Sequence, residues 1–284
     1  MVHYIENEFI KIGVKEFGCE LTSFYSKEDN YEYLWQGNPE FWTGQSPILF
    51  PIVGRLIDDK YFLNGKEYTM PKHGFARKSN WEFVEKKNNS IAFKLSETAD
   101  TLKIYPYCFD LIVTFTLDEK KLSVTHTVLN KNSSVMYFSL GAHPAFNCNL
   151  GDKLVFDVAE TLETEKIDLV RSLRLPETMP VLNNERDIII TENIFDEDAL
   201  ILHGIKSKCI TLCSESNPKK IKFDLGNAPY LGIWAKPGAP YVCIEPWCGV
   251  NDSQERKADF SEKDGINLIQ PNGQFSFTWS AELI

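Results

Sequence analysis

The 284-residue sequence has no long hydrophobic run, no excess of basic charge, no CxxC pair and almost no amphipathic helical periodicity. Its apolar stretches are interrupted within a strand's length, as in Ile48-Leu49-Phe50-Pro51-Ile52-Val53-Gly54, far short of the ~20 apolar residues that carry a helix across a bilayer. A membrane-spanning helix is excluded and no membrane partner is expected. With 30 basic residues against 40 acidic ones, the formal charge of −10 opposes broad contact with a phosphate backbone, so no nucleic acid partner is expected either. The first residues, Met1-Val2-His3-Tyr4-Ile5-Glu6-Asn7-Glu8, lack the basic region and apolar stretch of a secretory signal. A cytoplasmic location is the expectation.

The seven cysteines, Cys19, Cys108, Cys148, Cys209, Cys213, Cys243 and Cys248, are odd in number and scattered. They read as reduced thiols serving as small apolar side chains, with a Cys209/Cys213/His203 metal site as the weaker alternative. Gly (16) and Pro (14) are near ordinary usage, which excludes collagen-like and low-complexity chains.

What the sequence does have is alternation with period two, which sends successive side chains to opposite faces of a strand. Ser90–Leu95, Leu111–Leu117, Leu122–Leu129 and Phe275–Ala281 carry it. The polar break Asp118-Glu119-Lys120-Lys121 has hairpin length, so the second and third of these should pair antiparallel. Shorter strands are expected at Leu154–Val158, Ile221–Leu225, Leu231–Ala235 and Tyr241–Glu245. Helical turns are expected only near Pro39–Thr43 and Asn251–Phe260. With no repeat and no linker, residues 1–284 read as a single all-β domain, a large antiparallel β-sandwich with few short helices.

Chemistry then falls to polar residues set in apolar or Gly/Pro-rich segments. Four segments qualify: Pro51–Leu56 ending in Gly54-Arg55-Leu56, Pro71–Arg77 with His73-Gly74-Phe75-Ala76-Arg77, Gly141–Asn147 with His143-Pro144, and Tyr241–Gly249 with Glu245-Pro246-Trp247. Singly, Arg55 reads as a surface arginine, His73 as a turn residue and His143 as a packed one. Glu245 differs, because it follows Val242 and Ile244 in an apolar strand, where a carboxylate is costly unless paired or used.

In this order the four segments resemble the aldose 1-epimerase (galactose mutarotase-like) family, over residues from about 50 to 250. The resemblance implies a large β-sandwich with a sugar on one sheet face, and an isomerase that interconverts the α and β anomers of a free aldohexose without metal or organic cofactor. It further implies Glu245 as general base, His143 as general acid, His73 as a partner that polarises an oxygen, and Arg55 as a sugar contact. A substrate-binding aspartate is also implied, for which Asp196, Glu197 and Asp198 are candidates and Asp198 is favoured. Ala142-His143-Pro144-Ala145 departs from the Asn-His-Ser-Tyr of galactose-specific enzymes, so the sugar is left open.

Trp35, Trp42, Phe75, Trp234 and Trp247 are candidates for a surface on which a sugar stacks. Lys72, Arg77 and Lys78 bracket His73. The simpler expectation turns Arg77 to solvent or pairs it with Glu82, leaving an unphosphorylated substrate; the alternative keeps Arg77 as a substrate contact in a hexose-6-phosphate 1-epimerase. A non-catalytic sugar sensor would keep the aromatic surface and lose the acid or the base. A glycoside hydrolase would need a second carboxylate across the bond, at ~5 to 9.5 Å. Beyond the sugar no partner is expected, and the chain is read as a monomer or homodimer.

Overall fold

Strands Phe109–Asp118 and Lys121–Asn130 alternate buried and exposed side chains along their whole lengths, and they pair antiparallel from Asp118 opposite Lys121 to Phe109 opposite Asn130. This is the hairpin expected from the polar break. A computed structural model describes residues 1–284. Around that hairpin a nine-stranded antiparallel sheet runs in the order Arg174–Ile189, Lys153–Ile167, Cys209–Cys213, Ile221–Asp224, Gln274–Leu283, Lys121–Asn130, Phe109–Asp118, Ser90–Ser96 and Glu82–Lys86.

A six-stranded sheet faces it, with Tyr241–Cys248 near its middle, Tyr230–Trp234 on one side, and Leu140–Ala142 and Ala145–Asn147 on the other. The layers meet through aromatic side chains: Phe146 lies 5.9 Å from Phe223, and Phe50 5.1 Å from Phe109, measured between ring centroids. One cluster of 69 buried apolar residues runs through both. At ~25 cal/mol per Å² of apolar surface removed from water, that cluster is the main favourable contribution to the fold. Helix is confined to the single turn Thr101–Ile104 and three 3-10 turns, and no helix is long and apolar enough to cross a membrane.

The structure departs from expectation in three places. Leu154–Val158 is the start of a 15-residue strand, Lys153–Ile167, whose partner Arg174–Ile189 the alternation did not reveal. That partner contains Pro176 and Pro180 and lies at the edge of the sheet, where a missing N–H is tolerated and most side chains face water. Val2–Glu6, Ile10–Lys15 and Glu20–Ser26 form a further small sheet. Of the helical turns expected at Pro39–Thr43 and Asn251–Phe260, the first is a single turn in which Phe41 N donates to Asn38 O, and the second is confined to the 3-10 turn Phe260–Glu262 that starts at its last residue. In the first segment Trp42 O also accepts from Asn38 N, and in the second Asp252 N donates to Arg55 O and Asp252 O accepts from Arg174 N.

The inward face of Lys121–Asn130 carries Leu122, Val124, His126 and Val128. His126 is thus placed in the core by its register. Its Nδ1 has no partner, and burial pulls its pKa down to about 3. An unfolded histidine takes up a proton below ~6.5 and this folded one does not. His126 therefore contributes stability that is present above that value and is lost as pH falls toward about 3. His126→Leu should make denaturant stability fall less steeply between pH 6.5 and 4, by up to ~1.4 kcal/mol per pH unit; equal slopes in the two proteins would contradict this.

Candidate functional site

Strand Tyr241–Cys248 is buried at every position. Tyr241, Val242, Cys243 and Ile244 all belong to the large core, and by strand alternation Glu245 and Trp247 share the face of Tyr241 and Cys243, opposite Val242 and Ile244. Two glycines shape the face of Glu245 and Trp247. A Cβ on Gly232, the residue opposite Glu245, would fall 2.7 Å from the Trp247 ring, and one on Gly141, opposite Trp247, would fall 2.8 Å from it. Their missing side chains make room for the indole, whose Nε1 donates to Glu245 Oε2 at 3.2 Å.

The same oxygen lies 3.2 Å from His143 Nε2. His143 is fixed by Trp42, stacked on it at 4.9 Å, and by the edge of Trp234 at 5.9 Å. The Glu245 side chain is 1% exposed and that of His143 11%, so both groups are largely stripped of water. Burial, and then the negative charge of Asp198, push the Glu245 carboxyl well above the usual carboxylate range, although the Trp247 bond favours its ionised form. Burial also pulls His143 down to about 3, helped by Arg77 and Lys72. Each shift disfavours the charged form of its group, and the 3.2 Å approach puts the two within reach of a shared proton.

Together with His73, these groups line a cavity of about 350 Å³. His73 has a positive φ of 65°, unusual for a residue with a Cβ, and it is held there by two bonds: His73 N donates to Gly54 O at 2.7 Å, and Gly54 N donates to His73 Nδ1 at 3.1 Å. Because Nδ1 accepts, the ring's proton is on Nε2, which makes His73 a hydrogen-bond donor. Gly74 follows with φ of 69° against Phe50 O, where a Cβ would be 2.2 Å away.

Of the other expected residues, Arg77, Asp198 and Trp247 line the cavity and Arg55 does not. The Arg55 guanidinium is bound by both Asp59 oxygens, at 2.8 and 2.9 Å, because an acid four residues on competes for it. Asp198 is the acid that reaches the site; it sits in a turn at φ of 74°, and its Oδ1 accepts from Ala199 N. Glu197 turns away to Lys166. Trp42 and Trp234 border the cavity with Trp247, whereas Trp35 packs on Tyr241 and Phe75 on Phe50 in the core.

Arg77 neither faces solvent freely nor meets Glu82, which pairs with Lys94. Its Nη2 donates to Lys72 O, and its Nε is buried without a partner. Lys72 lines the cavity too, with Nζ 3.4 Å from Ser172 Oγ, and neither cation has a carboxylate within salt-bridge distance. Lys78 is exposed. Sequence reasoning did not find Asn251 and Ser172, which also line the site. Both lie in irregular segments without a motif; Ser172 comes from the tip of the long hairpin that folds over this face.

His143, Cys243 and Glu245 are the group that could hold a metal ion, since their potential ligand atoms lie within 4.8 Å of one another. Cys209 and Cys213 stand at opposite ends of one strand and His203 on another sheet, so they are not gathered into a site. All seven cysteines are free thiols.

The family model described as Aldose 1-epimerase matches residues 1–266. "Protein LacX, plasmid" of Lactococcus lactis subsp. lactis is 34% identical over 282 residues, covering 94% of each chain. A galactose mutarotase related enzyme from Lactobacillus acidophilus superimposes with a TM-score of 0.94 at 31% identity, covering 100% of this chain and 97% of that one. A galactose mutarotase-like protein from Lactobacillus casei ATCC 334 gives 0.94 at 33% identity, covering 100% of both.

In histidine NMR titrations the His143 ring should stay neutral as pH falls through the ordinary range near ~6.5, protonating only toward about 3. A midpoint between pH 6 and 7 would contradict the burial assigned to it.

Proposed function

The chain belongs to the aldose 1-epimerase family of isomerases, and from that premise we propose that it interconverts the α and β anomers of an aldohexose by general acid and base catalysis at Glu245 and His143. The observation that carries this reading is the 3.2 Å approach of His143 Nε2 to Glu245 Oε2 inside the cavity. Opening a cyclic hemiacetal removes a proton from the anomeric hydroxyl and adds one to the ring oxygen. As C1=O forms, the C1–O5 bond breaks. Rotation about C1–C2 presents the other carbonyl face, and closure returns both protons.

A pair that shares one proton suits that exchange, because the group that gives a proton in one half takes it back in the other. Glu245 takes the proton of the anomeric hydroxyl as base while His143 supplies one to the ring oxygen as acid. His73, through its Nε2–H, polarises the oxygen on which charge develops. Asp198, Arg77 and Trp247 hold the sugar, and Arg55 acts through Asp59 on the loop rather than on the substrate.

A second reading of the substrate is favoured by one observation. Lys72 and Arg77 line the cavity without carboxylate partners in a protein whose net charge is −10. Two such cations suit an aldose bearing a phosphate, which arginine grips through paired N–H donors.

Glu245→Gln should reduce anomer exchange about 10²- to 10⁴-fold with the fold intact, since the amide cannot take up the hydroxyl proton; activity within about threefold of wild type would remove Glu245 from the reaction. His143→Asn should lower kcat more than it raises KM, because an acid acts in the transition state. The kcat/KM values for glucose and glucose 6-phosphate separate the two substrates: a preference for the phosphate that collapses in Arg77→Ala supports the phosphorylated one, and a preference for glucose in both proteins supports the free sugar.

A further inference from the structure

We propose that Asn251 is a specificity-determining contact whose Oδ1 accepts a hydrogen bond from one hydroxyl of the bound aldose, an inference that rests on the reading of the cavity as an aldose site. Asn251 is 5% exposed and borders the cavity, and its Oδ1 is buried with no partner in the protein. The orientation of the amide is fixed by chemistry. Nδ2 lies 3.0 Å from the Ser172 carbonyl oxygen, which can only accept, so the other end of the amide must be the oxygen.

The side chain is also held in place. Its main-chain oxygen accepts from Arg174 Nε at 2.8 Å, and that guanidinium is in turn bound by Glu165 at 2.9 Å and Asp264 at 2.6 Å. On the opposite side Gly54 packs so closely that a Cβ there would fall 2.1 Å from Asn251 Cβ. Gly54 is the residue whose N–H fixes the His73 ring. The open acceptor is thus built into the wall beside His73, and it is a neutral amide where Glu245 and Asp198 present carboxyl groups. Sugar hydroxyls are the donors such an acceptor fits. An analogue lacking the right one leaves a buried oxygen unpaired, which is how polar sites reject deoxy substrates.

The test measures binding and catalysed anomer exchange for the preferred aldose and its monodeoxy analogues, in wild type, Asn251→Ala and Asn251→Asp. In wild type one analogue should bind about ten- to hundredfold more weakly than the parent. Asn251→Ala should lose a similar factor on the parent and no longer distinguish it from that analogue, while Asn251→Asp, which keeps an acceptor, should retain the distinction. A folded Asn251→Ala with the wild-type penalty on every analogue overturns the proposal. So does a wild type in which no analogue is penalised beyond about threefold, a result that does not depend on any variant folding. Binding that depends on Asn251 without catalysed exchange leaves this contact standing and overturns the isomerase reading; catalysed exchange with a pattern independent of Asn251 does the reverse.

Discussion

A carboxyl group at 1% exposure on a strand buried along its whole length cannot hold a full negative charge cheaply, and the surroundings of Glu245 answer that constraint. Its Oε2 takes Trp247 Nε1 on one side and faces His143 Nε2 on the other. To bring those groups in, neighbouring strands give up side chains at Gly232 and Gly141, and Trp42 and Trp234 clasp the imidazole. The sandwich supplies a rigid sheet across which these positions are set by register. The carboxyl and imidazole are thereby held 3.2 Å apart, within reach of one shared proton.

A second feature of the cavity is hydrogen bonding left open. Arg77 Nε, His143 Nδ1 and Asn251 Oδ1 are all buried without partners, and all belong to residues that line it. A buried donor or acceptor left unpaired costs about 1–3 kcal/mol. Arg77, His143 and Asn251 thus gather three such groups at one concave surface, where a polyhydroxylated ligand would complete them; His126 Nδ1, Ser139 Oγ and Trp279 Nε1, also without partners, lie elsewhere.

Strands with one buried face were legible because burial imposes period two, and so the Phe109–Asp118 hairpin and the final strand Gln274–Leu283 stand where the alternation puts them. Arg174–Ile189 was not, since an edge strand facing water has no pattern to impose and its prolines argue against pairing. Within the site, Glu245 announced itself as a charge in an apolar strand, and His73 and His143 by their neighbours. Arg55 was legible as a charge following Gly54, but a sequence does not show that Asp59 will bind it. Arg77 was legible as a charge near His73, but its direction was not, because that depends on Glu82 being occupied by Lys94 from another strand. Asn251 carried no signal at all: its role comes from contacts with Ser172, Arg174 and Gly54, which are far apart in the chain.

The most direct measurement is NMR exchange spectroscopy on the anomeric protons of glucose, galactose and their 6-phosphates with the wild-type protein. A shared-proton pair in a sugar-sized cavity predicts exchange cross-peaks between α and β signals of at least one of these sugars, at mixing times where the uncatalysed sugar shows none. Sugar that binds, as reported by the indole signals of Trp42, Trp234 and Trp247, yet shows no accelerated exchange at any pH would contradict it and leave a binding protein in place of an isomerase.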